Sequence, residues 1–318
     1  MKSIFKATLL LLAAATLATS CQDRDLRLLY WNIQNGMWAD QGNNYDNFVE
    51  FVKSKNPDVC VWCEAATIYK TGTADKMPGD KYLPANWDSL AERYGHQFVY
   101  LGGWHDNYPQ VITSKYPIRN VKRILGDPED IIVSHGAAWA QMDFAGKTLN
   151  IVTLHTWPQR YAYRAENRDS SILDNGGDKY RRREMEFICK ESINSKEGTG
   201  DEYWMMMGDF NSKSPVDNFH YNWPLDSTAF LVHDFIRNNT PYIDVIAEKY
   251  PDEFITSIGG DGRIDYVYAT KPLYDCIEHA EILQNDGSWL TLVRDPRKLS
   301  NFWQPSDHRP IIVDFKIK

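Results

Sequence analysis

At its centre the chain reads Met205-Met206-Met207-Gly208-Asp209-Phe210-Asn211. An apolar run stops at a glycine, and a carboxylate and a carboxamide follow, two residues apart. A short apolar run bounded by a turn residue predicts a buried strand, with Asp209 and Asn211 just past its end, at the rim of a sheet. Loops at such rims carry function because a rigid scaffold holds them. Asp209 can take a proton from a water, and Asn211 can hold a phosphoryl oxygen. The same residues serve equally as an Asx turn that closes a strand.

Working outward, strands alternate with helical or loop segments. The patterns predict strands over 26–33, 58–63, 98–101, 111–114, 202–207, 264–269 and 310–317, and a hairpin of 139–144 and 148–154 about Ala145-Gly146-Lys147. Helices are predicted over 47–55, 87–94 and 180–194, with a turn over 115–118. Two strand-rich halves with helices interspersed imply an α/β protein of two stacked sheets covered by helices.

Polar residues recur in one setting, where an apolar run meets its flank. They are Asn32, Glu64, His155, Asp209 with Asn211, Asp265 in Gly262-Arg263-Ile264-Asp265-Tyr266, and Asp307-His308 just before the last strand. Carboxylate and amide oxygens suit a hard cation, Mg²⁺ first and Mn²⁺ or Ca²⁺ after it. Two histidines without thiolates argue against a structural zinc site.

Asn32, Glu64, Ser114-Lys115-Tyr116-Pro117-Ile118, His155, Gly208-Asp209-Phe210-Asn211, Arg263-Ile264-Asp265-Tyr266 and Ser306-Asp307-His308 stand in the order typical of the endonuclease/exonuclease/phosphatase superfamily. The chain resembles that family over nearly its whole mature length. The resemblance implies a four-layered, deoxyribonuclease I-like α/β sandwich of two mixed β-sheets flanked by helices, spanning 26–318. It also implies divalent-metal-dependent cleavage of a phosphate ester. On it, Glu64 with Asn32 nearby resembles the metal site, and Asp307 helps to hold a metal or its waters. His308 resembles the histidine that contacts the scissile phosphate, and Asp265 the carboxylate that orients it. Asp209 then orients or deprotonates the attacking water, Asn211 holds a phosphoryl oxygen, and His155 is a candidate acid for the leaving oxygen.

The ends and the composition bear on setting. Lys2 and Lys6 precede an apolar run, and small residues lead into Cys21, which reads as a secretory signal over 1–20. Cys21 after Ala18-Thr19-Ser20 resembles a bacterial lipobox, so 21–25 is expected to be a lipidated tether. That implies an exported lipoprotein at the cell envelope, periplasmic or on the cell surface. Plain secretion with a chance cysteine is the other reading. A net charge of −8 argues against a broad nucleic-acid-binding surface. It does not exclude a nuclease whose bound cation carries the electrostatics locally. Five cysteines are too few for a disulfide framework. Cys60 and Cys63, three apart in one strand, face opposite ways and read as small buried residues.

Substrate is marked less sharply. Trp104 in the Gly102–Tyr108 loop, Arg160, Arg164 and the basic run Lys179 and Arg181-Arg182-Arg183 are candidates for substrate binding. The segment 215–260 is another source of specificity. The patterns leave three readings: a phosphoesterase on a small or lipid-borne phosphate ester, a deoxyribonuclease I-like nuclease with DNA as partner, or a non-catalytic binding module. No obligate protein partner is evident.

Overall fold

The methionine run alternates between two cores. Met205 and Met207 face one, and Trp204 and Met206 face the other. Both faces of the strand are covered, which is why it reads as unbroken apolar sequence.

The computed structural model describes residues 24–66, 87–285, 289–294 and 303–317. One mixed sheet is built from β1 (Arg24–Asn32), β2 (Val59–Cys63), β3 (Phe98–Leu101), β4 (Val111–Ser114), β11 (Ile277–Ile282) and β14 (Ile311–Ile317). The other comprises β5 (Ile118–Asp127), β6 (Ile131–Phe144), β7 (Lys147–His155), β8 (Tyr203–Asp209), β9 (Tyr242–Asp244) and β10 (Asp265–Thr270). Their orders are β11-β14-β1-β2-β4-β3 and β5-β6-β7-β8-β10-β9. A small ribbon pairs β12 (Val293–Arg294) with β13 (Trp303–Gln304).

Three hydrophobic clusters separate four layers. Leu28, Tyr30, Val61, Met205, Met207, Val267 and Val313 fill the space between the sheets. Leu29, Trp31, Cys60 and Trp62 cover the outer face of the first sheet, beneath the helices Asp46–Lys55 and Trp87–Arg93. Val152, Leu154, Met206 and Tyr268 do the same for the second, beneath Gly176–Glu191 and Leu231–Asn239. This is the expected four-layered α/β sandwich, built by strands whose two faces are both apolar. Cys60 and Cys63 fall in different clusters, both buried and unbridged.

Gly208 is required by the close approach of β7 and β8. A Cβ there would lie 2.1 Å from the Leu154 carbonyl oxygen, a backbone atom that cannot turn aside. Gly208→Ala is expected to cost about 1–3 kcal/mol, read as a lower midpoint in urea unfolding.

Several boundaries differ from expectation. Residues 118–127 form a strand rather than leaving a turn at 118, and β6 begins at Ile131, not at 139. β5 is a largely exposed edge strand with no apolar run to reveal it. β1 begins at Arg24, and Asp25 pairs with Lys316, so the end of the expected tether 21–25 is already sheet. The signal over 1–20, Cys21 and the rest of that tether lie outside the described residues.

Candidate active site

The rim of the sandwich is where strand polarity gathers the polar residues. β1 and β2 run parallel, as do β7 and β8, so their carboxyl ends share one edge. β14 and β10 are antiparallel to β1 and β8 and start at that edge. His155 pairs with Asp209, and Asp209 with Asp265, across three neighbouring strands. Each keeps the parity of the residues that face the space between the sheets, Ile151, Met207 and Val267. Asn32 likewise continues Leu28 and Tyr30. The polar group is therefore the mouth of the inter-sheet core. Asp209 is the last residue of β8, not a residue beyond it.

Asn32 acts as a bracket. Its Nδ2 donates to Asp209 Oδ2 at 3.1 Å and to Glu64 Oε1 at 3.3 Å, while its Oδ1 accepts from the Gln34 N–H at 3.1 Å. Asn32 thus positions both Glu64 and Asp209 at the head of the site. Glu64 Oε2 also accepts from the Asn35 N–H at 2.9 Å. Asn211 sits at a positive φ of 46° and donates from Nδ2 to the Thr156 carbonyl at 3.0 Å. Its backbone N–H donates to Asp209 Oδ1 at 2.9 Å. The Asx turn and the site are thus one structure.

His308 Nδ1 is 2.8 Å from Asp265 Oδ2, and its Nε2 lies 3.7 Å from both Asp209 and Asp307. Asp265 is held in turn by the Tyr30 hydroxyl at 2.7 Å and the Ser257 hydroxyl at 2.8 Å. Ser306 anchors the turn, donating to the Asn32 carbonyl at 2.7 Å and accepting from the His308 N–H at 3.1 Å. On the other side, His155 Nε2 is 3.6 Å from Asp209 Oδ2.

These surroundings drive the two histidines apart. Burial, with His135 and His308 adding, holds His155 well below the usual imidazole range, against a weak pull from the Tyr108 carbonyl. Burial also works against a charge on His308, but Asp265, Asp307 and Asp209 outweigh it and raise it well above that range. Asp209 lies between a neutral and a charged imidazole. Burial pushes it up to about 7, with Asp265 and Glu64 adding and His308 and the Asn211 N–H opposing. Asp307 is pushed up to about 6 by withdrawal from water and by Glu64 and Asp265, against His308. Carboxylate oxygens crowded at one cleft head fit a hard divalent cation, and Glu64 and Asp307 are the carboxylates that would hold one. Asp209, Asp265 and His308 also bring atoms within 4.8 Å of one another.

A cleft of about 570 Å³ opens above these groups. Glu64, His155, Asp209, Asn211, Asp307 and His308 line it. The structure does not bring Trp104, Arg160 or Arg164 to its wall. Trp104 is 45% exposed outside it, and Arg164 lies over the Tyr163 ring. The basic run serves the fold: Lys179 pairs with Asp174, Arg181 with Asp178, Arg182 with Glu186 and Arg183 with Asp130. The anions that draw these cations to a helix start are the protein's own. From 215–260, Ile258, Gly259 and Gly260 reach the cleft. His233 is fully buried between Ser212 and Tyr268, and His220 pairs with Asp261.

Four residues of the site have no motif. Tyr30 stands two before Asn32 on one face of β1, a spacing that marks it in the sequence. Ser257, Asp106 and His135 come from loops and an unrecognised strand start, and only the tertiary fold brings them in.

The two mixed sheets flanked by helices match the fold of solved structures. The chain has the deoxyribonuclease I-like fold. An AP endonuclease from Archaeoglobus fulgidus superposes with a TM-score of 0.57 at 17% identity, covering 92% of this chain and 100% of that one. The 3′ phosphatase NExo from Neisseria, bound to a product DNA hairpin, gives 0.56 at 14%, over 92% and 100%. An endonuclease/exonuclease/phosphatase from Beutenbergia cavernae gives 0.55 at 15%, over 92% and 72%. No protein-family model and no curated protein matches the sequence. At such identities the deoxyribonuclease I-like fold is what the likeness establishes.

Proposed function

We propose that the chain is a metal-dependent phosphoesterase that hydrolyses a small or lipid-borne phosphate ester by in-line attack of an activated water. The observation that carries this reading is Asp209 set between a neutral His155 and a charged, Asp265-tied His308 at the head of the cleft. Paired groups pushed to opposite protonation states are the signature of acid–base work. His308 offers a fixed positive charge to a phosphoryl oxygen, and Asn211 lies beside Asp209 to hold another. Asp209 orients the water and takes its proton. His155, 3.6 Å from Asp209, is placed to donate a hydrogen bond to the departing oxygen, which is then protonated from water. A divalent cation, Mg²⁺ in the first instance, held by Glu64 and Asp307, would neutralise charge that builds on the phosphoryl group.

A nuclease is the second reading, favoured by the neighbour seen with a DNA hairpin. The cleft volume and the net charge of −8 favour small esters. The complete set of oriented carboxylates and histidines speaks against a binding module. The leader-like start and Cys21 support export and envelope anchoring.

Hydrolysis of bis(4-nitrophenyl) phosphate and nicking of supercoiled plasmid, each with Mg²⁺, with chelator and with Asp209→Ala, test the reading. Ester hydrolysis that chelator and the substitution both abolish is expected, with little nicking. Strong metal-dependent nicking would move the assignment to the nuclease. Folded protein inactive on both substrates would overturn both readings.

A further inference from the structure

Beyond His155 the cleft wall changes character. Asp106, Tyr108, His135, Trp157, Pro158 and Gln159 line this end. His135 is 2% exposed, and its Nδ1 lies 2.6 Å from Asp106 Oδ2. Asp106 is fixed in turn, its Oδ1 accepting from the Tyr108 N–H at 3.0 Å. The other ring nitrogen of His135, Nε2, is buried with no hydrogen-bond partner among the described residues. A phenylalanine would pack there without leaving a polar atom unmet, so a histidine held by a carboxylate calls for a ligand.

The surroundings fit one. The His135 ring lies against that of His155 with centroids 4.3 Å apart, and Tyr108 packs edge-on at 5.0 Å. Trp157 donates its indole N–H to the Tyr161 carbonyl at 2.7 Å, which fixes the ring as a platform. Glu184, fully buried, ties both walls together: one oxygen accepts from the Ser134 N–H and hydroxyl, the other from the Trp157 N–H.

We propose that this end of the cleft is a subsite for a leaving alcohol that carries further hydroxyl groups, with His135 Nε2 and Asp106 as its hydrogen-bonding groups and Trp157 as its platform. The subsite rests on the phosphoesterase reading above. A hydroxyl both donates and accepts, so it meets the carboxylate and either form of Nε2. An indole face packs against the C–H face of a saturated ring. An acyl chain would leave Nε2 unmet.

The test uses two methyl phosphodiesters with the same ring, one of myo-inositol and one of cyclohexanol, cleaved by the full chain in Mg²⁺. The wild type is expected to favour the inositol ester about 10- to 100-fold in kcat/KM, the ratio one buried hydrogen bond decides. His135→Phe, which keeps a ring in the stack, and Asp106→Asn should each reduce that preference to about 3-fold or less. Asn211→Ala, across the site, should lower both esters together. Circular dichroism establishes that each variant is folded. A wild type active on bis(4-nitrophenyl) phosphate but indifferent to the ring hydroxyls overturns the subsite and leaves the phosphoesterase standing. So does a preference that survives in both variants. Inactivity of the wild type on every ester would remove the phosphoesterase reading and the subsite with it.

Discussion

Asp209→Asn should lower kcat for phosphate-ester cleavage about 10²- to 10⁴-fold, and it should raise the melting temperature of the metal-free protein at pH 8. The two effects have one cause. Asp209 is a carboxylate 2% exposed, with Asp265 paired beside it in register and Glu64 sharing its hold on Asn32. Its proton affinity is pushed up to about 7, by burial first, so ionising it in the folded protein is unfavourable. The sign follows. A carboxyl whose folded value lies above its unfolded one stabilises the fold below the unfolded value and loses that contribution as pH rises through about 7. Asparagine never ionises and escapes the penalty. It also cannot take a proton from water. For the wild type, the rate should fall as pH drops below the carboxyl's midpoint, and bound cation should move that midpoint down. A pH–rate profile and thermal melts with and without Mg²⁺ check both halves. A variant that is inactive and less stable would mean that Asp209 is structural.

How much of this was legible in the sequence depends on what makes each residue stand out. Asp209, Asp265, Asn32 and His155 end or begin strands whose apolar alternation is strong, so parity and position mark them together. The two-sheet architecture is written in that alternation, since Met205 and Met206 must face different cores. β5 is exposed along most of its length and carries no such pattern. The start of β6 was hidden with it, and His135 with the start of β6. Arg181 to Arg183 carry a strong signal of the wrong kind. A run of cations is the same in sequence whether it meets a phosphate or four carboxylates of its own fold. Asp178 and Glu186 lie within one helical turn of Arg181 and Arg182, and Asp174 five residues before Lys179, so helix geometry alone pairs them, whereas Asp130 meets Arg183 only through tertiary structure.

Arg263→Met should destabilise the fold by about 3–5 kcal/mol, the largest stability effect expected of a single polar substitution here. Arg263 stands two residues before Asp265 and is 1% exposed. Its guanidinium takes two carboxylates at once. Nε and Nη2 donate to Asp217 at 2.9 and 3.1 Å, and Nη1 and Nη2 to Asp244 at 2.9 and 2.8 Å. The planar fork also lies over the Tyr266 ring, 4.5 Å from its centroid. Asp244 meanwhile caps the helix Val245–Lys249 through the Ala247 N–H. One cation thus pins the 3-10 turn Pro215–Asp217, the end of β9 and the helix start that follows it to the strand that carries Asp265. Methionine fills much of the volume but leaves two carboxylates buried without a counter-ion. Burial already pushes Asp217 up, and Arg263 is the main force holding it down. Without Arg263 the folded value rises further above the unfolded one. Protonation then favours the folded variant, and the deficit should shrink as pH falls from 8 towards 5. Urea unfolding at the two pH values reads this directly. Arg263→Met combined with Asp217→Asn and Asp244→Asn, which removes the charges together, should recover part of the loss. A deficit independent of pH would mean that packing, rather than charge, is what Arg263 supplies.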